Sequence, residues 1–292
     1  MIQPDRVETA TSLDVDTLAA SLDHAARVTT ATPQLSLSHH LTLTDAYAVQ
    51  ASGVRIRERR GDSVVGVKLG LTSKAKAEQM GVSDVIIGVL HESMALAPDE
   101  PTDVSQWLHP RVEPEVAFRL GRDIEPTETE TDALMAVQDI APALEIIDSR
   151  YENFQFSLTD VVADNTSAAG FVVGDWLAYE EIVANHDLGD LEVRLEVNGE
   201  IQQSGNSADI LGSPLNALRA ALRMARTHNR ELRSGSIILA GAATAAITLS
   251  AGCTITAIVS GLGSVQFSTQ PPRPTGDAYI STDTSAVQGR ER

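Results

Sequence analysis

Leu191-Glu192-Val193-Arg194-Leu195-Glu196-Val197-Asn198-Gly199 is the stretch on which the fold class turns. Apolar residues at 191, 193, 195 and 197 alternate with charged ones, which is the period of a strand with one buried face. Asn198-Gly199 follows as a hairpin signal and leads into a return strand at Ile201. A helix comes next. Ser213 is placed to cap it, Pro214 takes its first position, and Leu215, Leu218, Leu222 and Ala225 form one apolar stripe. Beyond it, 235–241, 253–261 and 264–267 read as further strands separated by glycines. Strands and helices do not alternate regularly, which excludes a doubly wound sheet and favours an α+β fold with a curled, antiparallel or mixed sheet.

Working outward, residues 1–65 read as a mainly helical region. Thr44 is placed to cap a helix through Ala46, Tyr47, Val49 and Ile56, with Arg55, Arg57, Arg59 and Arg60 near its end, where the helix dipole favours positive charge. Residues 66–268 read as the catalytic part, and 269–292, rich in Pro, Ser, Thr and Gly, as a disordered tail. There is no internal repeat. The 292 residues carry 22 Lys and Arg against 40 Asp and Glu, a formal charge of −18. That surface repels phosphate, which argues against nucleic acid and anionic membrane as partners. Cys253 is the sole cysteine, which rules out an intramolecular disulfide and any multi-cysteine metal site. The start lacks a basic and apolar leader, and the apolar stretch 237–249 is too short to span a bilayer, so a soluble, cytoplasmic protein is expected.

Three features can carry chemistry. Glu113-Pro114-Glu115 heads an apolar strand. The proline forces an extended backbone before it, so the two carboxylates project from one face with Cα atoms about 6.6 Å apart. Such a pair raises a pKa or shares a cation, and oxygen-only donors select Mg²⁺ or Mn²⁺. Glu145 lies inside the apolar run 143–147 and needs a partner there, either Arg150 or a cation shared with the first two. Lys68 sits in an apolar strand ending at Gly70, after which Thr72 or Ser73 would cap a short helix closed by Gly81. That lysine either snorkels or holds an anion. Finally, Asp164-Asn165-Thr166-Ser167 follows a strand end and is either a turn or the polar rim of a pocket.

In combination the blocks 45–50, 66–73, 109–115, 147–154, 161–165 and 260–265 resemble the 4-oxalocrotonate decarboxylases of aromatic meta-cleavage pathways. These belong to the fumarylacetoacetate-hydrolase-like superfamily, alongside the 2-hydroxypentadienoate hydratases. The resemblance implies a curled mixed β-sheet roll with flanking helices and a smaller N-terminal helical region. It implies Glu113, Glu115 and Glu145 as ligands of Mg²⁺ or Mn²⁺, no organic cofactor, and Lys68 as the catalytic cation. Leu69, Thr72, Ser73, Ile86, Arg150, Asp164, Asn165, Ser167 and Thr244 are the expected substrate contacts.

The hydratases carry an acid two positions before the glycine equivalent to Gly88, where this chain has Ile86. That difference, Tyr151–Phe154 and Gly241-Ala242-Ala243-Thr244 place it on the decarboxylase side. The expected substrate is a small dicarboxylate, 2-oxo-3-hexenedioate, and the expected partners are copies of the same chain and the pathway hydratase. The alternatives are the hydratase itself, a hydrolase or isomerase of the same fold, and a non-catalytic scaffold subunit. Lys68 beside three carboxylates argues against the scaffold.

Overall fold

Two β-sheets carry the architecture, seen in a computed structural model that describes residues 13–73, 84–125 and 127–272. The strands are β1 (Val64–Gly70), β2 (Ile86–His91), β3 (Arg111–Leu120), β4 (Val137–Ile147), β5 (Ala168–Val173), β6 (Leu177–Ala178), β7 (Glu192–Val197), β8 (Glu200–Asn206), β9 (Ile237–Ala242), β10 (Ile247–Thr248), β11 (Thr254–Val259) and β12 (Gly263–Ser268). The larger sheet runs β2-β1-β9-β3-β4-β5, with β10 added to β3 and β6 to β4. Only its β1–β9 pairing is parallel, so the sheet is mixed. The smaller sheet, β12-β11-β7-β8, is antiparallel throughout. This is the α+β, curled mixed-sheet fold the sequence led us to expect, with the hairpin at Asn198-Gly199 joining β7 to β8.

Alternation along β4 decides where the sheets meet. Leu144 and Ile146 pack with Leu195, Ile255, Ala257 and Phe267 of the smaller sheet. Glu145 and Ile147 therefore point the other way, toward the concave side. The helix Pro214–Thr227 is capped by Ser213, with Pro214 at its first position as expected. Its Leu218 and Leu222 join a cluster that runs through Val67, Ile87 and Phe118 to Leu18, Leu22 and Tyr47 of the N-terminal helices. Burial of each such side chain stabilises by roughly 1.5–3 kcal/mol. The compositional division at residue 65 falls inside β1, and this one core runs across it.

Two expectations need correction. The helix Leu43–Arg59 is capped by Thr42 and not by Thr44. Thr42 Oγ1 accepts the Asp45 amide at 3.2 Å and Asp45 Oδ2 accepts the Thr42 amide at 2.9 Å, a reciprocal box that Thr44, already inside the helix, cannot form. The tail does not begin at 269. Thr269 is buried, its Oγ1 accepts the Cys253 amide at 2.9 Å, and the Gln270 amide donates to Thr102 O at 2.8 Å. A backbone that fills the sheet's last hydrogen bonds stays ordered whatever its composition. Residues 273–292 and the short helix expected to end at Gly81 lie outside the described residues.

Candidate active site and metal centre

Strand register builds the site. Glu113 on β3 is the direct cross-strand partner of Glu145 on β4, and Glu115 follows two residues along the same face. One carboxylate oxygen from each lies within 4.8 Å of the others, and all three residues are buried. Glu115 is anchored by the Gly241 amide, which donates to its Oε2 at 2.8 Å. Gly241 has φ +99°, and a Cβ there would come within 2.2 Å of Thr72 Oγ1, so only glycine lets the chain bring that amide in over Thr72.

Lys68 reaches the cluster from β1. Its Nζ lies 3.0 Å from Glu145 Oε1 and donates to Thr166 O at 3.1 Å. This settles which cation partners Glu145: it is Lys68, while Arg150 turns away. Burial pushes the Lys68 ammonium down, but Glu145, Glu115 and Glu113 more than offset this and hold it above the ordinary lysine value. Burial, then repulsion from Glu145 and Glu113, holds Glu115 well above the carboxylate range. Glu145 is raised by burial against the pull of Lys68. Among the described residues, the buried Glu115 and Glu145 share the single ammonium of Lys68. Glu115 Oε1 and Glu145 Oε2 receive no hydrogen bond from a protein donor among the described residues. Oxygen donors in this state fit a hard divalent cation, and Glu113, Glu115 and Glu145 are the residues that can hold it.

The segment Asn165–Ser167 shapes the opposite wall. Its three residues have φ of 51°, 55° and 57°, a left-handed turn without glycine and so one that stores strain. The turn is pinned. Asn165 Oδ1 accepts the Val89 amide and its Nδ2 donates to Val89 O, both at 2.8 Å. The Asp148 amide donates to Ser167 O at 2.9 Å. The hydroxyls of Thr166 and Ser167 are buried, line the cavity over the carboxylates and have no partner among the described residues.

That cavity is about 600 Å³. Its lining brings together Lys68, Ile86, Glu113 and Ser167 of the expected residues, with Thr166 of the expected polar rim, and adds Arg111, Phe154 and Phe156, which had not been assigned to the site. Asn153 and Phe154 have positive φ, a local twist that no sequence signal announces. Other expected contacts fall elsewhere. Leu69 points to the core on the opposite face of β1 from Lys68. The guanidinium of Arg150 forms a buried ion pair with Asp164, whose carboxyl burial pushes up to about 6 against the pull of Arg150. Arg150, Asp164 and Asn165 line a separate cavity of only about 70 Å³. Thr72 packs against Gly241, Ser73 is half-buried just beyond β1, and the Thr244 hydroxyl donates to Ala245 O at 3.2 Å.

A mixed curled sheet with a carboxylate triad and a buried lysine on its concave side defines a class. Residues 63–269 match the family described as fumarylacetoacetate (FAA) hydrolase C-terminal, and the chain belongs to that family. Within it, the chain is 45% identical over 261 residues to a 4-oxalocrotonate decarboxylase of Pseudomonas sp., covering 89% of this chain and 100% of that protein. It is 37% identical to the 2-keto-4-pentenoate hydratase of Burkholderia vietnamiensis, over 76% of this chain and 84% of that one. Among solved structures, it is similar to 4-oxalocrotonate decarboxylase from Pseudomonas putida G7 complexed with magnesium and adipate. The TM-score is 0.82 with 34% identity, over 89% of this chain and 99% of that one.

Proposed function

We propose that the chain is a divalent-metal-dependent carboxy-lyase that converts 2-oxo-3-hexenedioate (4-oxalocrotonate) to 2-hydroxypenta-2,4-dienoate and CO₂ in the meta-cleavage degradation of aromatic compounds. The observation that carries this reading is Ile86. It is buried, lines the cavity beside Lys68, and stands where the hydratases resembled have a carboxylic acid. Hydration of an alkene needs a general acid–base at that point, whereas loss of CO₂ favours an apolar wall.

Glu113, Glu115 and Glu145 would hold Mg²⁺ or Mn²⁺, and the bound ion supplies Lewis acidity toward the 2-oxo acid end of the substrate. The chain's own groups do the rest. Lys68 pulls against the burial that raises Glu145 and adds positive charge where the C2 oxygen gains electron density. The Thr166 and Ser167 hydroxyls are free to donate to substrate oxygens. Ile86, Phe154 and Phe156 exclude water around the far end. There the C5–C6 bond breaks, its electron pair moves through the conjugated chain to the C2 oxygen, that oxygen takes up a proton, and CO₂ leaves neutral.

The second reading, the hydratase, is favoured by the 37% identity to a 2-keto-4-pentenoate hydratase. Offering the purified protein both substrates with Mg²⁺ separates the two. We expect CO₂ from the hexenedioate and no comparable hydration of 2-hydroxypentadienoate; rapid formation of 4-hydroxy-2-oxopentanoate would transfer the assignment to the hydratase. The dienol product tautomerises in water, which supports direct transfer to a bound pathway hydratase; we also expect copies of this chain to associate. Co-expression and size exclusion test this, and strict separation of the two proteins at micromolar concentration would refute it. No helix among the described residues is long and apolar enough to cross a membrane.

A further inference from the structure

Arg111, Glu113 and Glu115 occupy alternate positions of β3 and so share one face, at a spacing of about 6.6 Å per step. Burial rises along this row. Arg111 is exposed, Glu113 and Glu115 are buried, and the cavity opens over the first two. The row thus runs from a cation at the rim to carboxylates at the floor.

The guanidinium of Arg111 is held in place without its donors being consumed. Its Cζ lies 4.2 Å from the centroid of the Phe154 ring. Phe154 is itself fixed between His109, edge-on at 5.4 Å, and Phe156 at 5.5 Å. Stacking uses the flat face of the guanidinium and leaves the N–H groups around its edge. No hydrogen bond or ion pair engages that edge among the described residues, although Asp and Glu outnumber Lys and Arg by 40 to 22 in the chain. Of the cavity's described cations, Lys68 is committed to Glu145 and Thr166, so Arg111 alone presents unspent donors.

We propose that Arg111, stacked on Phe154, is the specificity residue that recognises the carboxylate of the substrate remote from the glutamate cluster. This rests on the reading of the chain as acting on a dicarboxylate whose 2-oxo acid end lies at Glu113, Glu115 and Glu145. A planar, edge-on fork of N–H donors is the arrangement that binds a carboxylate in bidentate fashion. The exposed position suits capture more than turnover. The contact forms in the ground state and is lost as the carboxylate becomes CO₂, so it lowers KM without raising kcat.

The test is binding, read by calorimetry at saturating Mg²⁺, with two unreactive ligands: 2-oxohexanedioate, and 2-oxohexanoate, which lacks the remote carboxylate. The wild-type chain is expected to prefer the diacid by about tenfold to a hundredfold, the range for a hydrogen bond between charged groups. Arg111→Gln removes that preference and leaves 2-oxohexanoate binding unchanged, Arg111→Lys keeps part of it, and Phe154→Leu weakens the diacid more than 2-oxohexanoate. In turnover, Arg111→Gln raises KM for the hexenedioate with kcat within about threefold of wild type. A preference unchanged in Arg111→Gln, or equal weakening of both ligands, overturns the proposal. Should Arg111→Gln fail to fold, Arg111→Lys and Phe154→Leu carry the same comparison. A wild-type chain that prefers the diacid but releases no CO₂ would refute the decarboxylase reading and leave Arg111's role standing.

Discussion

Lys68 Nζ lies 3.0 Å from Glu145 Oε1, with both side chains buried and Lys68 lining the cavity. A buried pair of this kind is strongly destabilised by loss of one partner and contributes little net stability when intact. Its place beside a buried Glu115 makes sense if a divalent ion meets Glu115 Oε1 and Glu145 Oε2, which no described donor reaches. Mg²⁺ added to the wild-type chain at a hundred times its Kd should stabilise it by about 2.7 kcal/mol, read as a rise in Tm. In Glu145→Gln that rise should largely vanish. An undiminished Mg²⁺ shift in this variant would remove Glu145 from the metal site.

The same cluster predicts a pH dependence. Burial and neighbouring carboxylates raise Glu115 in the folded chain, and burial raises Glu145 against the pull of Lys68. A carboxyl group that holds its proton more tightly when folded stabilises the fold at low pH, and that contribution is lost as the pH rises through its folded value. In EDTA, Tm should therefore fall as the pH climbs above the ordinary carboxylate range. Glu115→Gln should flatten the fall, and Mg²⁺ should abolish it while releasing protons to the buffer on binding. Identical EDTA profiles for wild type and Glu115→Gln would contradict this.

Gly88 separates shape from charge. A Cβ at this position would lie 2.7 Å from Asn165 O, 3.0 Å from Lys68 Cδ and 3.1 Å from Thr166 Cβ. Gly88→Ala must move the strained turn and the lysine together. Overpacking of this kind costs about 1–3 kcal/mol, and we expect kcat/KM to drop by more than tenfold because a displacement of about 1 Å at a reacting group is that costly. Denaturant unfolding and steady-state kinetics on the variant check both figures; wild-type kcat/KM would show that the turn does not shape the site.

Much of this was legible before any coordinates. The Asn198-Gly199 hairpin and the Ser213-Pro214 helix start are local signals, and both elements form where the sequence puts them. Glu113 and Glu115 share a face because strand geometry requires it. What stayed open depended on register. Whether Glu145 meets Arg150 or Lys68 follows from which residue faces which across β3, β4 and β1, and Arg150 resembled the nearer partner only because it is closer in sequence. Phe154 escaped notice for another reason. It lines the cavity from a backbone of positive φ, and nothing in an aromatic residue signals left-handed backbone.

The C-terminal boundary gives a truncation pair. Ending the chain after Pro272 keeps Thr269 and Gln270 on Cys253 and Thr102, whereas ending it after Ser268 removes those bonds and the buried Thr269. The first should leave Tm unchanged, because it removes none of these bonds. The second should cost about 2 kcal/mol or more, since several backbone and side-chain hydrogen bonds are lost at once. Equal Tm values for the two shortened chains would show that Thr269 and Gln270 contribute nothing.

We expect this cavity to remove CO₂ from a 2-oxo dicarboxylate with a divalent ion on Glu113, Glu115 and Glu145. The direct measurement is CO₂ and dienoate formation from 2-oxo-3-hexenedioate by the purified chain, with Mg²⁺, with EDTA, and with Glu145→Gln or Lys68→Ala in Mg²⁺. One CO₂ should appear per dienoate formed, with complete dependence on the metal and loss of most of kcat/KM in both variants. CO₂ release that persists in EDTA, or a wild-type chain with Mg²⁺ that releases none, would contradict it.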